Sequence, residues 1–179
     1  MFGLFKKFKF KKLYEVKSSS RGTKFSAGID FYIPDYTEDY AKYLKGYIKK
    51  VSVKESNGKV HRYPRICIPP HGKILIPSGL KVSYPKNRAL DFLNKSGIAS
   101  RDSLIVGAEL CDWDYMNELF FDIHNISDNE VYIDFGQKII QGILIPVYYL
   151  KLKEVYTEKE LFGKRSVTRK GGFGSTGLK

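Results

Sequence analysis

The chain has 179 residues, 42% hydrophobic and 28% charged, with a formal net charge of +12. That length builds one substantial core more readily than two, and no apolar run approaches the roughly 20 residues that span a bilayer, so a membrane-spanning helix is not expected. The charge raises the question of an anionic partner, but residues 1–24 carry eight basic side chains against one acidic, +7 of the total, which describes a basic N-terminal segment rather than a basic domain. Nucleic acid, motivated by charge alone, is not an expected partner.

The opening MFGLFKKFKFKKLYEVK interleaves aromatics with lysines. Its lysines interrupt any secretory apolar core, and the alternation over Leu13–Lys17 predicts a first strand with lysines facing water, in preference to a membrane-surface or nucleic-acid arm. A short strand follows at Ile29–Ile33, with Asp30 among apolar neighbours; read alone, Asp30 is a surface residue. From Thr37 to Tyr63 the pattern weakens into an insertion: a turn or two of helix within Asp39–Tyr47, then a hairpin, Ile48–Val53 with Lys59–Tyr63, closed around Asn57-Gly58, a pair that favours the positive φ of a tight turn. Its basic excess reads as solvated surface. Short β-rich segments then recur about every ten residues, at Arg65–Ile68, Lys73–Ile76, Gly79–Ser83, Leu90–Phe92, Leu104–Val106, Leu119–Asn125, Val131–Phe135 and Ile139–Pro146, punctuated by Pro, Gly, Asn and Asp. The spacing predicts an all-β jelly-roll-like sandwich or barrel. The tail after about Val155 reads as coil.

Cys67 and Cys111 sit in apolar, strand-like contexts and read as free thiols, and His61, His71 and His124 lack the spacing of a zinc site. Cytosol is the default compartment.

Two stretches carry chemistry. Asn94–Tyr115 begins with Lys95-Ser96-Gly97, read as a tight polar turn, where a cation, a hydroxyl and backbone N–H groups exposed beside a glycine can hold a phosphate. It ends in Asp112-Trp113-Asp114-Tyr115, where a carboxylate can take a proton from water and an aromatic can cover a sugar or base. The C-terminal SVTRKGGFGSTGLK places glycines 171, 172, 174 and 177 around Phe173. Taken alone it is a flexible end, although its hydroxyls, cations and backbone donors suit a triphosphate.

Five blocks in order, AGIDFYIP at 27–34, KSGIAS at 95–100, GAELCDWDY at 107–115, GQKIIQGILIP at 136–146 and GGFGSTG at 171–177, resemble the trimeric, all-β dUTPase family, including phage-type members with an insertion. The resemblance implies hydrolysis of dUTP to dUMP and pyrophosphate, Mg²⁺ carried mainly on the triphosphate, a homotrimer with shared sites, and a cytoplasmic enzyme (the bacterial host's cytoplasm for a phage protein). It implies that Asp112 activates the water, that Tyr115 packs beneath deoxyribose, and that Lys95, Ser96, Gly97 and Gln141 contact phosphates. Gly107, Glu109, Leu110 and Cys111 belong to the segment whose backbone reads the uracil edge, and Asp30 reaches the metal through its water shell. Phe173 covers uracil while Gly174, Ser175, Thr176 and Arg169 close over phosphates, residues 165–179 being a lid on a domain of residues 1–164. Lys95 stands where the family has Arg, Glu109 and Asn117 where it has Gly, and Gln137-Lys138 where it has Asp-Arg. Alternatives are a dCTP deaminase of the same fold, with Glu109 as base, and a regulatory protein that binds a partner through residues 37–63.

Overall fold

The computed structural model describes residues 7–54, 56–165 and 171. Its framework is antiparallel β-structure in four small sheets. The central one runs β2 (Ile29–Tyr32), β12 (Lys138–Pro146), β7 (Arg88–Asn94) and β9 (Leu110–Cys111). A second orders β5 (Lys73–Pro77), β10 (Phe120–Asn125) and β8 (Leu104–Val106); a third orders β11 (Val131–Ile133), β4 (Val60–Ile68) and β3 (Ile48–Lys54); β1 (Lys9–Lys12) pairs with β6 (Leu80–Ser83). Alternation decides which residues face inward. In β10 the pattern buries Phe121, Ile123 and Asn125 and leaves Phe120, Asp122 and His124 on the other face, the two-residue period of a half-buried strand. Phe31, Phe92 and Phe121 join the central and second sheets, their rings meeting edge-on with centroids 5.5–6.1 Å apart, an arrangement that ring quadrupoles favour.

The all-β expectation holds, with local corrections. The first strand lies at Lys9–Lys12, upstream of Leu13–Lys17. Val16 is buried there, yet Leu13 and Glu15 bond singly to Gly79 and Asp35 instead of forming a ladder. Two expected strands, Lys59–Tyr63 and Arg65–Ile68, are one: β4 runs through Pro64. β11 covers only Ile66–Ile68, so at Pro64 that side of β4 is open and the missing N–H costs no ladder bond there. The insertion is not all solvated surface. Thr37 caps α1 (Glu38–Ala41) by accepting from the Tyr40 N–H, and through a following 3-10 turn, Lys42–Leu44, Tyr40 and Leu44 become core residues. The Tyr40 hydroxyl donates to Pro77 O at 2.7 Å, which satisfies the polar end of a buried ring.

The chain divides into two compact units at 148/149. The second unit contains a helix, α3 (Glu158–Phe162), where coil was expected. Thr157 Oγ1 accepts from the Glu160 N–H while the Glu160 carboxylate accepts from the Tyr156 N–H and the Thr157 hydroxyl, a Thr-x-x-Glu capping arrangement present in the sequence.

Candidate active site

Lys95-Ser96-Gly97 is the entry into α2 (Ser96–Asp102) rather than an isolated turn. Lys95, extended at φ −84°, has its carbonyl bonded by the N–H groups of Ile98 and Ala99. Its side chain is therefore free to leave the helix axis, and its ammonium lies 2.5 Å from Asp30 Oδ1. The other Asp30 oxygen receives Lys138 at 3.1 Å. Asp30 is only 5% exposed, so the surface reading of this residue is wrong. The residue sits opposite Gln141 on β12, in a strand whose last three residues, Asp30–Tyr32, are all buried. Burial opposes ionisation of the carboxyl, and the Lys95 and Lys138 ammonium groups overcome it and hold its pKa below the usual value; Lys138 is shifted up in turn by the bond to Asp30.

Gln141 donates to Asn94 O at 2.9 Å, which fixes its amide beside the end of β7. A Cβ on Gly28 would lie 2.4 Å from Gln141 Oε1, so that position admits only glycine while the amide stays where it is. Around these groups Lys95, Ser96, Gly97, Arg101, Lys138 and Gln141 line a cavity of about 380 Å³. Cations, a hydroxyl and an amide are the groups that bind phosphate oxygens.

The second half is apolar. Phe92, Leu110, Cys111, Asp112, Tyr115 and Phe120 are among the residues lining a cavity of about 210 Å³. β9 lies against β7, Cys111 opposite Leu90 and Leu110 opposite Asp91, and Glu109 O accepts from the Phe92 N–H at 2.9 Å. The chain then turns: Tyr115 N–H donates to Asp112 O, and the Tyr115 hydroxyl donates to Glu118 O at 2.8 Å. Asp112 is exposed at the rim. Gly107 N–H donates to Asp122 O and Ala108 N–H to the Asp122 carboxylate, and a Cβ at Gly107 would stand 2.3 Å from that carboxylate. Burial pushes the Cys111 thiol pKa up, so Cys111 acts as an apolar wall.

The structure thus gathers Lys95, Ser96, Gly97 and Gln141 at one cavity, with Asp30 ion-paired to its Lys95 and Lys138, and Leu110, Cys111, Asp112 and Tyr115 at another. The two cavities share no lining residue. Glu109 is exposed and lines neither. Lys138, Arg101, Phe92 and Phe120 are additions to the predicted set. Lys138 had a visible signal, a cation where the resembling family has arginine; the aromatic walls had none, because strand aromatics are core by default. Arg169, Phe173, Gly174, Ser175 and Thr176 lie outside the described residues.

Residues 61–177 match the family model described as dUTPase. The chain belongs to the dUTPase family. The match opens inside the β3–β4 hairpin, leaving most of the insertion outside it. Among relatives, the deoxyuridine 5'-triphosphate nucleotidohydrolase of Hydrogenobaculum sp. (strain Y04AAS1) is 34% identical over 116 residues, covering 64% of this chain and 77% of the relative. Among solved structures, the Staphylococcus bacteriophage 80alpha dUTPase with dUPNHPP superposes with a TM-score of 0.70 at 20% identity, over 96% of this chain and 99% of that one. A mutant dUTPase from phage phi11 of S. aureus, solved to describe coordination of a structural Mg(II) ion, gives a TM-score of 0.62 at 17% identity, over 86% of this chain and 99% of that one. At such identities the likeness speaks for the fold, which is the family's.

Proposed function

We propose that the protein hydrolyses dUTP to dUMP and pyrophosphate as a cytoplasmic homotrimer whose sites are each assembled from several chains. The observation that carries this is the separation of two complementary half-sites. One is cationic and polar, suited to phosphates; the other is apolar and carries Asp112 and Tyr115, suited to base, sugar and water activation. A nucleoside triphosphate needs both at once, and a closed rotational assembly in which each chain lends its halves to different sites supplies them.

In that site Asp112 takes a proton from a water added across the α–β phosphoanhydride. Lys95, Lys138, Gln141 and the Ser96-Gly97 backbone hold the phosphates and oppose the charge that grows on the leaving pyrophosphate. Tyr115 lies under the deoxyribose, and the backbone of Gly107–Cys111 presents donors and acceptors to the uracil edge. Phe173 covers the base, and Arg169, Gly174, Ser175 and Thr176 close over the phosphates. Among the described residues no group of three or more His, Cys, Asp or Glu side chains converges to hold a metal, and both Asp30 oxygens are occupied by lysines. That donor set fits an ion bound through the substrate's phosphates, with Asp30 reached through water, and does not fit a resident protein cage. Mg²⁺ bound so supplies charge neutralisation to the triphosphate.

A deaminase would require a carboxylate base inside the base cavity, and Glu109 lies outside it. Pyrophosphate release measured across the deoxynucleoside triphosphates tests the reading, with dUTP expected to be the preferred substrate. Ammonia release from dCTP without pyrophosphate would overturn it.

A further inference from the structure

We propose that Tyr84 is a positioning residue for Asp112, and that the N-terminal segment acts as its buttress. Tyr84 follows β6 and is 6% exposed. Its hydroxyl donates to Cys111 O at 2.7 Å, and its own carbonyl accepts from the Trp113 indole N–H at 3.0 Å. One residue therefore grips both chain neighbours of Asp112, which itself stands at the rim of the apolar cavity. Cys111 is also held by β9 pairing with β7 and Asp112 O by the Tyr115 N–H, but the Trp113 side chain, 42% exposed, is otherwise met by Lys86 at 5.5 Å.

Tyr84 is held in turn from the N-terminus. Lys9 is the register partner of Ser83, which brings Phe8 against Tyr84 with parallel rings, centroids 6.2 Å apart. Phe8 also meets the buried Phe31 edge-on at 6.4 Å. The basic N-terminal strand, all of whose side chains are exposed, thereby has a task beyond its charge: it anchors one ring that fixes the tyrosine beside the catalytic turn. A carboxylate that must meet water and phosphorus in one geometry loses rate when its backbone drifts, while the phosphate-binding groups Lys95, Lys138 and Gln141, which line the other cavity, are untouched. This inference rests on the assignment of Asp112 as the base.

The test uses the full chain carrying Tyr84→Phe, Phe8→Ala or Phe8→Leu, with turnover normalised to folded protein by circular dichroism. Tyr84→Phe is expected to lower kcat on dUTP about ten-fold with KM within about two-fold. Phe8→Ala is expected to act in the same direction, with Phe8→Leu recovering most of the loss. Trp113 is the chain's single tryptophan, so iodide quenching reads the same turn without turnover. It should rise in Tyr84→Phe and in Phe8→Ala, and return towards wild type in Phe8→Leu. Wild-type kcat and unchanged quenching in Tyr84→Phe would overturn the inference, as would a KM rise matching the kcat loss. A wild-type protein inert towards dUTP refutes the proposed function instead, and the quenching series still decides whether Phe8 and Tyr84 order the turn.

Discussion

Replacing Asp30 by Asn tests the ion-paired carboxylate beside the cavity proposed to hold phosphates. Asp30 is 5% exposed and bonded by two ammonium groups at 2.5 and 3.1 Å. Removing one partner of a buried pair costs about 3–5 kcal/mol, but the Lys95 and Lys138 side chains are 21% and 48% exposed, so water recovers part of the loss and about 2 kcal/mol is expected. For a chain of this size that lowers Tm by about 4–8 °C. The pH dependence has a definite sign. Lysine contacts hold the folded-state pKa of Asp30 below the ordinary carboxylate value, so the native state binds fewer protons, and the stabilisation is present above the unfolded pKa and lost as pH falls through the folded one. Thermal unfolding of wild type and variant at intervals from pH 7 to pH 3 should therefore show a constant Tm gap down to about pH 4, narrowing only below it. An absent gap, or one that closes by pH 6, would refute the ion-pair reading.

Asp112→Asn should retain affinity for a non-hydrolysable dUTP analogue and lose roughly 10²–10⁴-fold in kcat; near-wild-type turnover would remove Asp112 from the role of base. Gly107→Ala should destabilise the fold by about 1–2 kcal/mol in urea unfolding, because the new Cβ meets Asp122 and His124 at 2.3 and 2.4 Å, and it should weaken discrimination against other bases. Lys95→Ala should cut kcat/KM about 10²-fold with Lys95→Arg close to wild type; an equal defect in both would show that shape rather than charge matters there. Truncation before Gly171 should depress turnover far more than Tm, since the tail's proposed contacts are with substrate.

Much of this protein was legible residue by residue. The strands at Ile29, Lys73, Leu104 and Ile139 follow from β-branched runs between turn residues, and Asn57-Gly58 announced its hairpin, because these are local preferences of φ, ψ and side-chain period. The helix at Ser96 was missed because seven residues with a glycine second have no amphipathic repeat. α3 was missed although its Thr157-x-x-Glu160 cap was in view. Asp30 shows the other kind of limit. A carboxylate in a four-residue strand reads as surface until the partners that neutralise it, Lys95 and Lys138, are brought from 65 and 108 positions away.

The sequence by itself determined the family and the all-β class, and it named most residues of the candidate site, since ordered motifs and short-range patterning are written along the chain. Only the tertiary structure decided that those residues line two cavities, that Lys138 completes the Asp30 pair, and that Phe8 of the lysine-rich N-terminal segment stacks on Tyr84. Each of these is a contact between strands distant in sequence, set by which edges pair and which faces pack, and no local pattern encodes such a pairing.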